Sequence, residues 1–301
     1  MATGKLVRFK TISEYHQFKD LPKPEHPLIS VVDYSQMKVT PDSTVSEFYS
    51  IAIKRGIGKL MYGQQEYDFD EGVMFFLAPG QILKVTASQD EAAKRTGWIL
   101  LIHPDFFWNT PLAKSIKQYE YFDYSVNEAL HLSDKEETIV TNVIQNIKQE
   151  YHSNIDKFSQ SIIISQIETL LNYAERFYQR QFITRKKTNH SILEQLETIL
   201  NSWFSDRLLP EKGLPTVKYI SEQLHVSPNY LSGLLKTLTG KNTQQLIHEK
   251  LIEKAKEKLS TTTLSISEIA FELGFEHSQS FSKLFKTKTN LSPLEFRQSF
   301  N

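Results

Sequence analysis

Two stretches in the last third of the chain are copies of one another, and this duplication leaves few folds open. Ile220, Leu224 and Val226 lie 49 residues before Ile269, Leu273 and Phe275. After one inserted residue, Leu231, Leu235, Lys236 and Thr239 lie 50 before Phe281, Phe285, Lys286 and Thr289. "VKYISEQLHVSPNYLSGLLKTLTG" and "ISEIAFELGFEHSQSFSKLFKTKTN" therefore form one supersecondary unit used twice. In each, a short helix buries Ile and Leu, and a turn follows at His225-Val226-Ser227 or Gly274-Phe275-Glu276. A second helix then begins. Gly274 suits a positive φ. Ser227 reads as an N-cap with Pro228 at the first helical position, whereas Glu276-His277 makes a poorer cap.

Two helices crossing through such a turn make a helix-turn-helix, whose second helix enters the DNA major groove by its N-terminal end. Leu231, Leu234 and Leu235, then Phe281, Leu284 and Phe285, are its core positions. Asn229, Tyr230, Ser232 and Gly233 are then expected to face outward in the first copy, and Ser278, Gln279, Ser282 and Lys283 in the second. Asn and Gln pair with adenine, Lys with guanine, and Ser with several bases. Lys236 and Lys286, further along, suit phosphate, which positions without specifying. Gly233 offers no base-reading side chain, so the second copy is expected to read more of the sequence. Between the copies, "TQQLIHEKLIEKAKEKL" reads as one helix with Ile247, Leu251, Ala255 and Leu259 inward and rows of Glu and Lys in solvent. It would space the two recognition helices by about one DNA turn, roughly 34 Å.

The preceding part has another texture. From about Val45 to His103, short apolar runs such as "FYSIAIKRG" and "GWILLIHPDFF" alternate with turn residues at Gly63, Glu71-Gly72 and Pro79-Gly80. That spacing predicts strands of a small barrel or sandwich. A helix follows from a capping box at Ser133 and Glu136, and a second carries the stripe Ile163, Ile167, Leu170, Leu171 and Ala174. This helical pair would cover the barrel or pair with a second subunit. The polar, basic "ITRKKTNH" at 183–190 reads as a linker between residues 1–182 and 191–301, the latter holding helix-turn-helix units at 216–240 and 266–290. The net charge is zero, yet residues 185–301 hold 16 Lys/Arg against 12 Asp/Glu, a mild bias towards an anionic partner.

The chain has no cysteine, no apolar run fit to cross a membrane and no apolar signal core at "MATGKLVRFK", which suits a cytoplasmic protein. No phosphate-binding glycine loop or nucleophile elbow is present, so no catalytic residue is expected. The scattered histidines His16, His26, His103, His131 and His152 lack metal-ligand spacing, so no metal or cofactor is expected. Asp68, Asp70 and Glu71 read as solvated turn residues. Should a small molecule bind, Tyr49, Tyr62 and Trp98 are the candidate contacts.

"SISEIAFELGFEHSQSFSKLFKTKTNLSPLEFR" resembles the C-terminal signature of the AraC (arabinose-regulator) family of bacterial transcription regulators, at Glu-Ile-Ala, Gly274-Phe275, Phe281, Phe285-Lys286, Ser292-Pro293 and Phe296-Arg297. Asn290 replaces the usual Gly. "GQQEYDFDEGVMFFLAPGQ" is similar to the family's cupin-like sensing domain. The resemblance implies an α+β chain: a cupin-like β-barrel with a helical pair, then an all-α domain with two helix-turn-helix motifs. It implies a sequence-specific regulator, commonly an activator, working as a homodimer on double-stranded promoter DNA with RNA polymerase and a small-molecule effector. The competing readings are a cupin-type enzyme with a helical interaction tail and a helical protein-binding scaffold.

Overall fold

The computed structural model describes residues 6–37, 43–55, 60–62, 65–67, 72–84, 96–124, 128–152, 156–184, 186–205 and 209–299. They divide into two compact units, Met1–Gln181 and Phe182–Asn301.

The first unit is built on strands β1 (Leu6–Phe9), β2 (Ile29–Asp33), β3 (Ser43–Ser46), β4 (Tyr49–Arg55), β5 (Leu60–Tyr62), β6 (Gln65–Tyr67), β7 (Val73–Leu77), β8 (Ile82–Lys84), β9 (Thr96–Ile102) and β10 (Leu130–His131). They form a five-stranded sheet in the order β10-β7-β4-β9-β2, a three-stranded sheet β1-β3-β8 and a hairpin β5-β6. The expected closed barrel is not seen among the described residues. A physical reason lies at the rims of the larger sheet, where helix side chains take the place of a neighbouring strand. The Tyr151 hydroxyl accepts from Val31 N–H on β2 at 3.0 Å. Gln181 Oε1 accepts from His131 N–H on β10 at 2.8 Å, and Arg180 donates to His131 C=O at 2.7 Å.

These side chains come from α3 (Asp134–His152) and α4 (Ser159–Thr184), the expected helical pair. The Ser133–Glu136 capping box forms, and Arg180 from α4 binds the same Glu136. Arg55 on β4 pairs with Glu137, fastening α3 to the sheet. Pro104 ends β9 as expected and starts a 3-10 turn, Pro104–Phe107, capped by His103. The strands expected from about Val45 to His103 are preceded by β1, β2 and the helix α1 (Ile12–Phe18), for which there was no expectation. The apolar residues Phe9, Ile12, Val32, Ala52, Ile99 and Leu101 gather from these and from β4 and β9 into one core, joined by Tyr34 just after β2 and Phe48 just before β4. A short helix α2 spans Leu112–Ser115.

The second unit is all helix: α5 (Lys186–Ser205), α6 (Leu209–Lys212), α7 (Val217–Gln223), α8 (Pro228–Thr239), α9 (Thr243–Thr261), α10 (Ile266–Glu272), α11 (Ser278–Thr289) and α12 (Pro293–Gln298). The stretch 183–190 was read as breaking the helical pattern. Residues 183–184 instead close α4 and 186–190 open α5, with Arg185 outside the described residues. Asn189 within it is buried and bonds Phe182 C=O, and periodicity in a window this short does not separate a polar helix segment from a loop.

Candidate nucleic-acid interface

One core holds the second unit together, with Leu196, Leu200 and Phe204 from α5, Ile220, Leu231 and Leu235 from the first copy, and Ile269, Phe281 and Phe285 from the second. The expected stripe of α9, Ile247, Leu251, Ala255 and Leu259, is fully buried within it. The two copies thus share a single hydrophobic core, with α9 between them.

The duplication extends to individual hydrogen bonds. Val226 N–H donates to Ser221 C=O at 3.0 Å, and its counterpart Phe275 N–H to Ala270 C=O at 2.9 Å. The residue before each is left-handed, His225 with φ 56° and Gly274 with φ 81°. Only the second requires glycine sterically, because a Cβ at Gly274 would stand 2.6 Å from Leu209 C=O. The far ends match as well. Gly240 (φ 73°) and Asn290 (φ 63°) are both left-handed C-caps. Thr239 and Thr289 each turn a hydroxyl back to the helix, onto Leu235 C=O at 2.7 Å and Phe285 C=O at 2.8 Å.

The start of the recognition helix differs. Ser227 Oγ accepts from Tyr230 N–H at 3.2 Å at the head of α8. His277 makes no side-chain cap on α11.

The outward faces differ more. In the first copy Asn229 is half-buried and Lys236 exposed. Tyr230, expected to face outward, is 7% exposed, with its ring 5.1 Å from that of Phe182. Phe182 lies outside the repeat, so the repeat pattern alone carried no sign of this contact. The Ser232 and Thr243 hydroxyls share a hydrogen bond of 3.2 Å, which turns Ser232 towards the start of α9. In the second copy Gln279, Lys283 and Lys286 are exposed, and their spacing of four and three residues puts them on one stripe of α11. Ser278 and Ser282 flank them, half-buried. The sequence reading passed over Ser280 and Lys288 on the same helix, both exposed. Lys288 acts on α9, where His248 is held below its usual value by burial first and then by that ammonium.

The charges sort by helix. On α9, Lys250 pairs with Glu253 at 2.9 Å, Lys254 with Glu257 at 2.8 Å, and Lys258 with Glu272 of α10 at 2.6 Å. Among the described residues no carboxylate lies within salt-bridge distance of Lys236, Lys283, Lys286 or Lys288. The cations of the recognition helices thus make no salt bridge among the described residues, while on the helix between them Lys250, Lys254 and Lys258 are each paired and Lys256 lies over the Phe296 ring.

Of the residues named for a small molecule, Tyr49 and Trp98 are both buried. Tyr49 is buried in an aromatic cluster, 5.2 Å from Phe122 and 5.9 Å from Phe107, and burial pushes its phenol up. Trp98 is buried in β9, and its Nε1 has no hydrogen-bond partner among the described residues. The backbone of Tyr62 ends β5, and its side chain lies outside the described residues, as do Asp68, Asp70 and Glu71. Among the described residues no three His, Asp or Glu side chains are grouped to hold a metal ion, and no helix is long and apolar enough to cross a membrane.

A helix-turn-helix domain model matches residues 220–299. The chain is 26% identical over 261 residues to the HTH-type transcriptional regulator YfiF of Bacillus subtilis (strain 168), covering 84% of this chain and 77% of that one. It is 31% identical over 125 residues to the HTH-type transcriptional activator RhaS of Escherichia coli O139:H28, covering 40% of this chain and 44% of RhaS. Among solved structures, the C-terminal domain of the two-component response regulator yesN from Fusobacterium nucleatum is similar at 33% identity with a TM-score of 0.31, over 35% of this chain and 95% of that one.

Proposed function

The chain belongs to the AraC-type helix-turn-helix family of DNA-binding transcription regulators, and from that premise we propose that it reads promoter DNA mainly through α11 and anchors itself through α8. The observation that carries this reading is the stripe Gln279, Lys283 and Lys286, exposed and without salt bridges among the described residues, beside an α9 on which Lys250, Lys254 and Lys258 are each paired. Gln279 and Lys283, at the groove-entering end, read base edges. Lys286 meets phosphate. In α8, Asn229 is the one base-reading side chain and Lys236 the phosphate contact. The 19-residue α9 is about 28 Å long at 1.5 Å per residue, close to the spacing of successive major grooves.

The regulator acts in the cytoplasm as a homodimer. The first unit supplies the dimer contact and senses a small-molecule effector, which shifts DNA occupancy by binding one state of the chain more tightly. Its output is activation through RNA polymerase, the mode that RhaS carries in its name.

The test is binding to genomic duplex fragments across a salt series. A regulator of this kind retains a small set of fragments, with affinity falling steeply as salt rises, because phosphate contacts release counter-ions. Retention of no fragment at low salt, or binding indifferent to salt, rejects the reading.

A further inference from the structure

The two helix-turn-helix copies are joined by a second connection besides α9. It starts at Trp203, near the end of α5, whose side chain is buried in the core of the second unit. Its ring lies 4.7 Å from that of Tyr219, on the first helix of the first copy. Its Nε1–H donates to Gly213 C=O at 3.1 Å. Gly213 follows α6 and closes it, with its N–H returned to Leu209 C=O at 2.9 Å and a φ of 67°. Leu209 and Gly213 also stand against the turn of the second copy. A Cβ on Gly274 would come within 2.6 Å of Leu209 C=O and 3.0 Å of the Gly213 Cα, so the two backbones pass with no side chain between them. The run Tyr219, Trp203, Gly213, Gly274 thus leads from one copy to the other without passing through α9.

That second path matters because of what a single strut leaves free. Packing along the one stripe Ile247, Leu251, Ala255 and Leu259 sets how far apart the copies stand along α9. Packed helices can still slide and roll on one another by small amounts. A second attachment, made by backbone in close contact and a hydrogen bond, removes that freedom. It acts at a sensitive place, since the Gly274 turn directly precedes α11 and so aims its groove-entering end.

We infer that Trp203 is a positioning residue for DNA reading. Through Gly213 it holds α6 against Gly274, fixes the angle of α11 relative to α8, and thereby sets the operator spacing that the chain accepts. Being buried, it acts through the turn and touches no base. This deepens the DNA reading proposed above and rests on it. The specificity at stake is for the distance between two blocks of base pairs, apart from which bases they hold. One inserted base pair moves the second block by about 3.4 Å and turns it by roughly 34° around the duplex. A rigid pair of reading heads cannot follow that change, and a loosened pair follows it in part.

The test uses the full chain and a genomic duplex fragment that it retains. Methylation and ethylation interference locates the two contact blocks, and single base pairs are then inserted or removed between them. The unaltered chain should lose about tenfold or more in affinity on either change, comparable to one mismatched base pair. Trp203→Phe keeps a ring beside Tyr219 and deletes the bond to Gly213, whereas Trp203→Leu deletes both contacts. The spacing penalty should shrink by about threefold in Trp203→Phe, the contribution of one neutral hydrogen bond, and further in Trp203→Leu. Base preferences within each block should stay as they were, with circular dichroism melts showing the variants folded at the binding temperature. A role in stability alone would lower affinity for every spacing alike and leave the penalty whole. A penalty undiminished in Trp203→Phe, or an unaltered chain indifferent to spacing, overturns the proposal. Fragment retention with an undiminished penalty removes Trp203 from the mechanism and leaves the DNA reading standing, whereas retention of no fragment removes both.

Discussion

The two helix-turn-helix copies follow one backbone plan and carry different chemistry on it. Fifty residues apart, Asn229 answers to Gln279, Tyr230 to Ser280, Gly233 to Lys283, Lys236 to Lys286 and Leu238 to Lys288. The first recognition helix thus presents one cation where the second presents three. The inward positions, the left-handed turn residues and the threonine locks stay equivalent. A duplicated fold keeps what its core requires, while its outer faces diverge in charge and in side-chain reach. The first copy is the better-made helix, with a serine cap; the second is the better reader.

Substitutions at matched positions test this division. The largest effect is expected at the turn. Gly274→Ala adds a Cβ where Leu209 C=O already stands and forces a left-handed alanine, so it should cost about 3 kcal/mol in denaturant melts. A loss below about 1 kcal/mol would show that α6 yields easily. Next come the reading positions. Lys283→Ala and Gln279→Ala should each remove about 1–3 kcal/mol of preference at one or two base pairs, measured on a panel of operator variants. Lys236→Ala should instead weaken all sequences together and lower the salt slope by about 1. A sequence-selective loss at Lys236 would move the first copy into the reading set.

Smaller effects concern the helix starts. Ser227→Ala should destabilise by about 1 kcal/mol and His277→Ser should stabilise by a few tenths up to 1 kcal/mol, which narrows the gap between the copies. His225→Gly, at the turn position matching Gly274, should raise stability by about 0.5 kcal/mol, since it relieves a left-handed L-residue but adds freedom to the unfolded chain.

The least is expected from acid. Capping bonds to Ser265 hold Glu268 low, and those to Ser292 hold Glu295 low. A folded value below the ordinary 4.5 contributes stability that is present above 4.5 and lost as pH falls through the lowered values. The first of these caps heads α10, in the second copy, and the other heads α12, which follows that copy. Backbone exchange in α10 and α12 should therefore rise below pH 4.5 before it rises in α7, which is capped by the uncharged Thr216.

Local patterns carried the second unit well. The repeat, the Ser227 cap and the buried stripe of α9 all follow from spacing and from residue type. Tyr230 did not, because its partner Phe182 comes from a segment that pattern reading assigned elsewhere. Ser232 did not, because a hydroxyl in a helix gives no sign of which neighbour will take it. In the first unit, strand-forming runs such as β4 and β9 were legible, whereas closure was not. Whether strands close on themselves is decided at their edges, and here Tyr151, Arg180 and Gln181 lie 120, 49 and 50 residues away from their edge partners. Strands as short as β1 and β10 leave too few residues to show an alternation.

Those edge-binding side chains have a consequence for self-association. A neighbour's strand approaching either rim of the five-stranded sheet would have to evict a phenol on one side, or an amide and a guanidinium on the other, and each is rooted in α3 or α4. Sheet-to-sheet joining of two copies at these rims is therefore coupled to loosening the helices behind them, and protomers that keep those helices intact must meet through other surfaces.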